Sequence, residues 1–211
     1  ADSMFNFNLS VKIYRSIDNI DKILKQAEDY LRRNTFIACF SETVKSITMW
    51  SHYADSHKGF VLEYDFKNLN CQCDICDKKS TCNDRVLYNI YPIIYDNRRY
   101  NATSFVEYYL GLSLGLNAKM NDTMYYTKAA LYKSPQWQYE KEWRLFLNKN
   151  NSIGLSSLNI QIKPIAVYYG NDMSAINKKI ISDIAKEKGI KEYQMYIDTQ
   201  SDRYAMKYRR I

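Results

Sequence analysis

Cys39-Phe40-Ser41-Glu42 opens a stretch that continues, six residues later, with Met49-Trp50-Ser51-His52-Tyr53-Ala54-Asp55-Ser56-His57-Lys58-Gly59-Phe60. Residues 35–41 form an apolar run that predicts a buried strand. Residues 46–55 predict a short helix, and its apolar and aromatic face is made of Met49, Trp50, Tyr53 and Ala54. Gly59 ends the following turn, and residues 60–64 predict a return strand.

Both histidines of the chain, His52 and His57, lie inside this stretch. Imidazole changes its charge near neutral pH, so the pattern concentrates that proton chemistry beside Trp50 and Tyr53. We therefore interpret the two histidines as candidate catalytic residues, and Ser41, Trp50 and Tyr53 as candidate ligand-binding residues. The alternative is that the aromatic residues pack in the core and that the histidines are satisfied polar residues at a helix end.

The bulk composition is that of a globular chain of 211 residues, with a formal charge of +7 and 20 tyrosines. This length predicts one domain over residues 1–211 that buries a substantial core. The basic charge permits an acidic partner such as nucleic acid or a nucleotide ligand. No apolar run approaches the roughly 20 residues of a membrane helix, and no signal peptide is visible, which predicts a cytoplasmic protein without membrane contact. The sequence does not indicate the oligomeric state.

The remaining elements do not alternate as regular strand–helix units, because the predicted strands outnumber the long helices. The predicted helices cover residues 19–33, a block at 103–134, and 171–189. The last of them ends at Gly189 and carries Ile176, Ile180, Ile184 and Ala185. Further strands are predicted at 86–95 (broken at Pro92), 143–147, 158–169, 193–197 and 203–208. The pattern predicts an α+β fold with a mixed, mostly antiparallel central sheet flanked by helices.

A cysteine cluster lies within a polar segment, residues 67–85, which predicts a loop or a small insertion. Its four thiols are Cys71, Cys73, Cys76 and Cys82. Four closely spaced thiolates suit a tetrahedral zinc ion, and such a site would be structural because it leaves no open position. The alternative is a polar surface loop with free thiols. Cys39, in the apolar strand, is interpreted as a small core residue.

A second informative segment runs from Lys133 to Arg144 and contains Trp137, Glu140 and Glu142. Glu140 and Glu142 are two residues apart, so on a strand both carboxylates would share one face. We interpret Glu142 as a candidate catalytic residue, and Lys133, Trp137, Glu140 and Arg144 as candidate ligand-binding residues. The alternative is a structural ion pair between Glu142 and Arg144.

These two segments resemble a bacterial family known as domain of unknown function 2971. The resemblance extends over residues 36–170 and rests on the stretch quoted first, on Tyr91-Pro92-Ile93-Ile94-Tyr95 and on Lys133-Ser134-Pro135-Gln136-Trp137 with Tyr139-Glu140-Lys141-Glu142-Trp143-Arg144-Leu145. The start of the chain departs from the family's pattern, since only Asp2-Ser3 and Tyr14-Arg15-Ser16 are weak counterparts of its opening motifs.

The resemblance implies a strand layout similar to ADP-ribosyltransferases and related NAD-cleaving folds. On that analogy Ser41 would be the supporting strand residue, Trp50 and Tyr53 would stack on the ligand, and Glu142 would stabilise an oxocarbenium-like ribose. NAD would then be the substrate, and the protein would serve as an effector of a toxin or phage-defence system.

A second hypothesis is a non-catalytic module that binds nucleic acid or a protein through a basic, tyrosine-rich face. It predicts that tyrosines gather on one open face with the basic residues of the C-terminal segment, Arg203, Lys207, Arg209 and Arg210.

Overall fold

A computed structural model describes residues 22, 25, 29, 32–33, 35–69, 71–72, 86–113, 115–119, 122, 124–148 and 161–211. The chain divides into two compact units, each assembled from three separate stretches. The first unit comprises 1–38, 91–137 and 144–158, and the second comprises 39–90, 138–143 and 159–211. The expectation of a single domain over 1–211 stays a prediction.

Helices and strands are mixed along the chain, which confirms the predicted α+β class. The strands are β1 (Thr35–Ser41), β2 (Phe60–Glu63), β3 (Cys71–Gln72), β4 (Ile90–Pro92), β5 (Ile94–Tyr95), β6 (Tyr132–Lys133), β7 (Glu142–Asn148), β8 (Gln161–Ile162), β9 (Ala166–Tyr169), β10 (Lys191–Ile197) and β11 (Met206–Arg210). The helices are α1 (Ile47–Tyr53), α2 (Thr103–Ser113), α3 (Tyr125–Ala129) and α4 (Ala175–Lys188), with a 3-10 helix at Pro135–Glu140.

The second unit is built on a four-stranded sheet of order β11-β10-β9-β2. The β9–β10 pair is parallel, and Tyr193 lies opposite Tyr168. The other two pairs are antiparallel, with Tyr193 opposite Arg210 and Phe60 opposite Tyr169. The sheet is therefore mixed and mostly antiparallel, as the sequence predicted.

Helices α1 and α4 cover opposite faces of this sheet, because successive residues of a strand point to opposite sides. Tyr168 packs with Trp50 of α1, and the same cluster contains Ala54, Ala166, Met195 and Met206. Tyr169, the next residue of β9, packs with Ala185 of α4 and with Val167. All four residues of β9 are buried, as expected for a strand with a layer on each side.

Helix α4 ends where the sequence predicted, at Gly189, but it begins at Ala175 rather than near Asn171. The Ser174 side chain accepts a hydrogen bond from the Asn177 amide, and Gly189 ends the helix in the left-handed conformation at φ 64°. Of the four apolar residues noted on this helix, Ala185 is buried, whereas Ile176 is 74% exposed, and Ile180 and Ile184 are exposed as well. Residues four apart drift around a helix by about 40° per step, so only part of a long i, i+4 series faces the sheet.

The first unit contains α2, α3 and the parallel pair β5–β6. Phe105 of α2 stacks on Tyr125 of α3 with ring centroids 4.2 Å apart. The predicted helical block at 103–134 is therefore present as two helices, and its end is the strand β6. The strand predicted at 86–95 is shorter, because Val86 and Leu87 are helical and β4 ends at Pro92. Proline cannot donate the hydrogen bond that would continue the ladder.

Strands β1 and β7 match their predicted positions and are neighbours in a three-stranded sheet of order β1-β7-β4. The prediction that β1 is buried was wrong, since none of its residues is buried, and Cys39 is exposed rather than a core residue. The strand predicted at 158–169 is represented by two short strands, β8 and β9. Of the helix predicted at 19–33, the residues that the structure describes are all helical: Lys22, Lys25, Asp29, Arg32 and Arg33. No described helix is long and apolar enough to cross a membrane.

Most of the cysteine cluster lies outside the described residues. This applies to Cys73, Cys76 and Cys82, whereas the backbone of Cys71 is paired with Ile162 in the β3–β8 ladder. Strand β3 falls within the segment that was predicted to be a loop or insertion. The zinc site therefore stays a prediction.

Candidate functional site

Ser41 joins two parts of the second unit that are far apart in the sequence. It ends β1, and its Oγ donates a hydrogen bond of 2.6 Å to the backbone carbonyl of Glu140, 99 residues away. The same Oγ accepts a hydrogen bond from the Thr43 amide at 3.2 Å. The hydroxyl at the end of the predicted strand is thus used to hold the segment that carries Glu140.

Tyr53 contacts the side chain of the same glutamate. The Ser46 side chain caps the start of α1 by accepting a hydrogen bond from the Met49 amide, and Tyr53 is the last residue of that helix. Its phenol donates to Glu140 Oε1 at 2.8 Å. Tyr53 is 63% exposed, whereas Glu140 is 4% exposed. A solvent-exposed tyrosine therefore donates a hydrogen bond to a buried carboxylate.

Glu140 and Glu142 do not share a strand face, so that part of the sequence interpretation was wrong. Glu140 ends the 3-10 helix and Glu142 begins β7. Lys141 between them is left-handed, with φ 46°, which redirects the chain. Both glutamates are nevertheless buried. Left-handed backbone is costly for a side chain other than glycine, and such positions cluster at functional sites.

Glu42 contacts the segment that carries Glu140 and Glu142, and it was not among the residues predicted from the sequence. Its amide donates to the Lys141 carbonyl at 3.2 Å. Its carboxylate Oε1 accepts a hydrogen bond from Trp143 Nε1 at 2.6 Å, and the glutamate is exposed. The available signal was its position directly after Ser41 in the first segment.

The two candidate histidines occupy different environments. His52 is exposed, and its ring centroid lies 6.3 Å from that of Tyr53. His57 follows Asp55 and Ser56 in a turn in which all three residues have positive φ values of 46°, 51° and 67°. The His57 Nδ1 atom is buried and has no hydrogen-bond partner within the described parts of the chain.

Gly170 explains how this strained turn is held. A Cβ at that position would lie 2.0 Å from the His57 carbonyl oxygen, so only glycine allows the approach. The same carbonyl accepts a hydrogen bond from the Asp172 amide at 3.0 Å. The turn that carries His57 therefore packs against Gly170 and is hydrogen-bonded to Asp172, just after the end of β9.

Trp50 is a core residue rather than an open ring. It is buried with Ala54 in the cluster that packs on the sheet. Its indole Nε1 donates to the Val44 carbonyl at 2.6 Å. These contacts favour packing over ligand stacking for Trp50, which was the alternative that the sequence left open.

Three predicted site residues belong to the first unit. Lys133 places its Nζ 5.0 Å from the centroid of the Trp137 ring. Arg144 donates a hydrogen bond from its guanidinium to the Ala130 carbonyl. The other seven catalytic and ligand-binding candidates lie in the second unit, and the hydrogen bonds described above bring Ser41, Tyr53 and Glu140 together there.

In two other tyrosine–glutamate pairs of the second unit the tyrosine is buried, and its glutamate is exposed (Glu63) or half-buried (Glu192). Tyr168 donates to Glu63 at 2.6 Å, and Tyr169 donates to Glu192 at 2.7 Å. Both tyrosines are buried. Burial, followed by the hydrogen bond to the carboxylate, raises the pKa of each phenol far above its ordinary value.

Residues 49–145 match the model of a family described as "Protein of unknown function (DUF2971)". The match confirms the resemblance to that family, over a shorter span than the 36–170 inferred from the sequence. No curated protein and no solved structure matches the chain. Within the described residues, no group of three or more histidine, cysteine, aspartate or glutamate side chains is arranged to hold a metal ion.

Proposed function

We propose that the protein cleaves the bond between nicotinamide and ribose in NAD, or transfers the ADP-ribose to an acceptor. The nicotinamide leaves with the bonding electron pair, and water or an acceptor nucleophile then adds to the ribose carbon. The observation that carries this proposal is the convergence of Ser41, Tyr53 and Glu140 from segments about ninety residues apart.

The chemistry requires negative charge near a ribose that becomes positive in the transition state. Glu142 is the proposed stabilising carboxylate, and Glu140 lies two residues before it. Both are withdrawn from water, and a charge in a low-dielectric site acts more strongly than the same charge in solvent. The exposed ring of Tyr53 supplies an aromatic surface beside Glu140.

The two histidines serve proton transfer in this proposal. His52 is exposed near Tyr53, and His57 has a buried ring nitrogen within the same unit. An enzyme that consumes NAD depletes a central cofactor, so the proposal extends to a cytoplasmic effector of a toxin or phage-defence system.

The direct test is release of nicotinamide from NAD by the full chain and by Glu142→Gln. We expect release by the wild type and a loss of at least about a hundredfold in the variant, because the stabilising charge is removed. Glu192→Gln is the matched control, since Glu192 also accepts a hydrogen bond from a tyrosine in the second unit. Absence of release by the wild type, or equal rates in the two variants, would contradict the proposal.

The alternative function is binding of nucleic acid through basic residues of the C-terminal strand. Along β11, Lys207 and Arg209 alternate with Tyr208 and Arg210, so the strand directs them to opposite faces. Tyr208 carries the Lys45 ammonium 5.6 Å from its ring centroid. The basic residues of β11 therefore do not form one basic face, which favours NAD cleavage over nucleic-acid binding. Steep weakening of RNA or DNA affinity with salt, together with no NAD turnover, would favour the alternative.

A structural zinc ion completes the proposal. Its ligands would be Cys71, Cys73, Cys76 and Cys82, for which the supporting observation is their close spacing. We expect one zinc per chain by elemental analysis and its loss in Cys73→Ser/Cys76→Ser. Equal metal content in the variant would contradict the site.

A further inference from the structure

Glu42 is a carboxylate whose backbone and side chain are both held in place. Its amide donates to the Lys141 carbonyl, and its Oε1 accepts the indole hydrogen bond of Trp143. No described residue donates a hydrogen bond to the second oxygen, Oε2. The side chain is exposed, so the structure presents one fixed carboxylate oxygen to solvent.

The neighbouring carboxylates are placed differently. Glu140 and Glu142 are buried, and the Glu140 Oε1 atom already accepts the phenol hydrogen bond of Tyr53. Glu42 and Tyr53 are exposed, and each is held by a partner, Trp143 for the first and Glu140 for the second. Both side chains are therefore accessible to a ligand from solvent.

A fixed carboxylate oxygen suits a sugar with a free hydroxyl, because the hydroxyl can donate a charge-assisted hydrogen bond to it. The exposed ring of Tyr53, in the same unit, offers an apolar surface to a sugar or a base. We infer that Glu42 binds a hydroxyl of the ribose on the nicotinamide side of the nucleotide, and that Trp143 is the residue that positions it. This inference rests on the proposed function and adds the group by which the substrate is recognised.

The hydrogen bond from the Trp143 indole fixes the position of the Glu42 side chain. Without it, the exposed Glu42 side chain would sample several rotamers, and binding would have to order it again. Trp143→Phe keeps an aromatic ring and removes only the N–H donor. This substitution should therefore weaken substrate binding less than the removal of the Glu42 charge does.

The test compares KM and kcat for NAD with those for its analogue that lacks both hydroxyls on the nicotinamide-side ribose. For NAD we expect Glu42→Gln to raise KM about tenfold with kcat within about twofold, and Trp143→Phe to raise KM about threefold. For the analogue, the wild type and Glu42→Gln should have the same KM. Glu187→Gln is the matched control, because it removes an exposed carboxylate from α4.

The outcomes separate the two claims. If the wild type releases no nicotinamide, the proposed function fails, and this inference fails with it. If the wild type is active but Glu42→Gln leaves KM unchanged, or raises KM equally for NAD and the analogue, the inference alone is overturned. In the second case Glu42 acts as a bulk charge, or contributes only to the fold.

Discussion

Two kinds of tyrosine–glutamate pair occur in the second unit, and they are reversed in exposure. At β9 the tyrosines, Tyr168 and Tyr169, are buried, and Tyr168 donates to a glutamate at the surface, Glu63. At the candidate site the tyrosine, Tyr53, is open to solvent, and its glutamate, Glu140, is buried.

The difference in exposure distinguishes a pair that stabilises the fold from a pair that we propose belongs to a functional site. Burying a tyrosine ring stabilises a fold, and a surface carboxylate satisfies its hydroxyl at little cost. Burying a carboxylate is unfavourable, and leaving the ring in water gains nothing in stability. The arrangement at Tyr53 and Glu140 is therefore less favourable for stability than the arrangement at β9. Such a departure is the pattern expected at a functional site.

The largest expected effect is on stability at β9. Tyr169→Ala should lower the free energy of unfolding by about 3–5 kcal/mol, because it removes a fully buried ring. Tyr53→Ala should cost only about 1–2 kcal/mol, mainly through its hydrogen bond to Glu140. Urea denaturation of the two variants measures both values. Equal losses would remove the distinction between the pairs.

Activity should depend more on the Tyr53 hydroxyl than on the hydroxyl of a buried tyrosine, which is the reverse of the order expected for stability. Tyr53→Phe should lower nicotinamide release by more than about tenfold, because Glu140 loses a donor at the site. Tyr168→Phe should leave release unchanged while it costs about 1 kcal/mol of stability. Initial rates of nicotinamide release and urea denaturation of both variants test these two expectations. A larger activity loss in Tyr168→Phe would contradict this assignment.

Alkaline pH should destabilise the protein through the buried pairs. The pKa values of Tyr168 and Tyr169 are raised in the folded protein, so their stabilisation is complete below the ordinary tyrosine pKa near 10 and is lost as pH rises towards the folded values. Each tyrosine should contribute up to about 1.4 kcal/mol per pH unit in that window. Unfolding by urea between pH 9 and 11 should show a shallower decline in Tyr169→Phe. An unchanged slope would contradict the assigned direction.

The smallest expected effect concerns the backbone between the two buried glutamates. Lys141→Gly relieves the left-handed conformation but makes the unfolded chain more flexible, so stability should change by less than about 1 kcal/mol. Lys141→Val should cost about 2 kcal/mol, because a β-branched residue tolerates positive φ poorly. Thermal unfolding of both variants distinguishes a real left-handed turn from an extended one, for which valine would be neutral.

Much of the fold could be predicted from local sequence. Strand β1 has the predicted limits, and α4 starts and stops at its capping residues, Ser174 and Gly189. These features depend on apolar runs and on short-range capping, which are properties of a few neighbouring residues. Local pattern could not tell which isoleucines of α4 face the sheet, since that depends on how the helix is rotated against β9 and β10.

The candidate site was predicted only in part. Ser41, Tyr53 and Glu140 were selected by residue type and by motif, and hydrogen bonds bring them together. The turn at Lys141 was missed, because a left-handed lysine has no signature in sequence. Glu42 was missed as well, since its side chain is held by an indole 101 residues away.

The central claim is that the buried Glu140, held by the exposed Tyr53, belongs to a site that consumes NAD. The most direct measurement is the rate of nicotinamide release by Glu140→Gln, with Glu63→Gln as the control at the buried Tyr168. Glutamine can still accept the phenol hydrogen bond, so the substitution tests the charge. We predict a fall of at least about a hundredfold in Glu140→Gln with an unchanged melting temperature, and wild-type rates in Glu63→Gln. Wild-type release by Glu140→Gln would contradict the account.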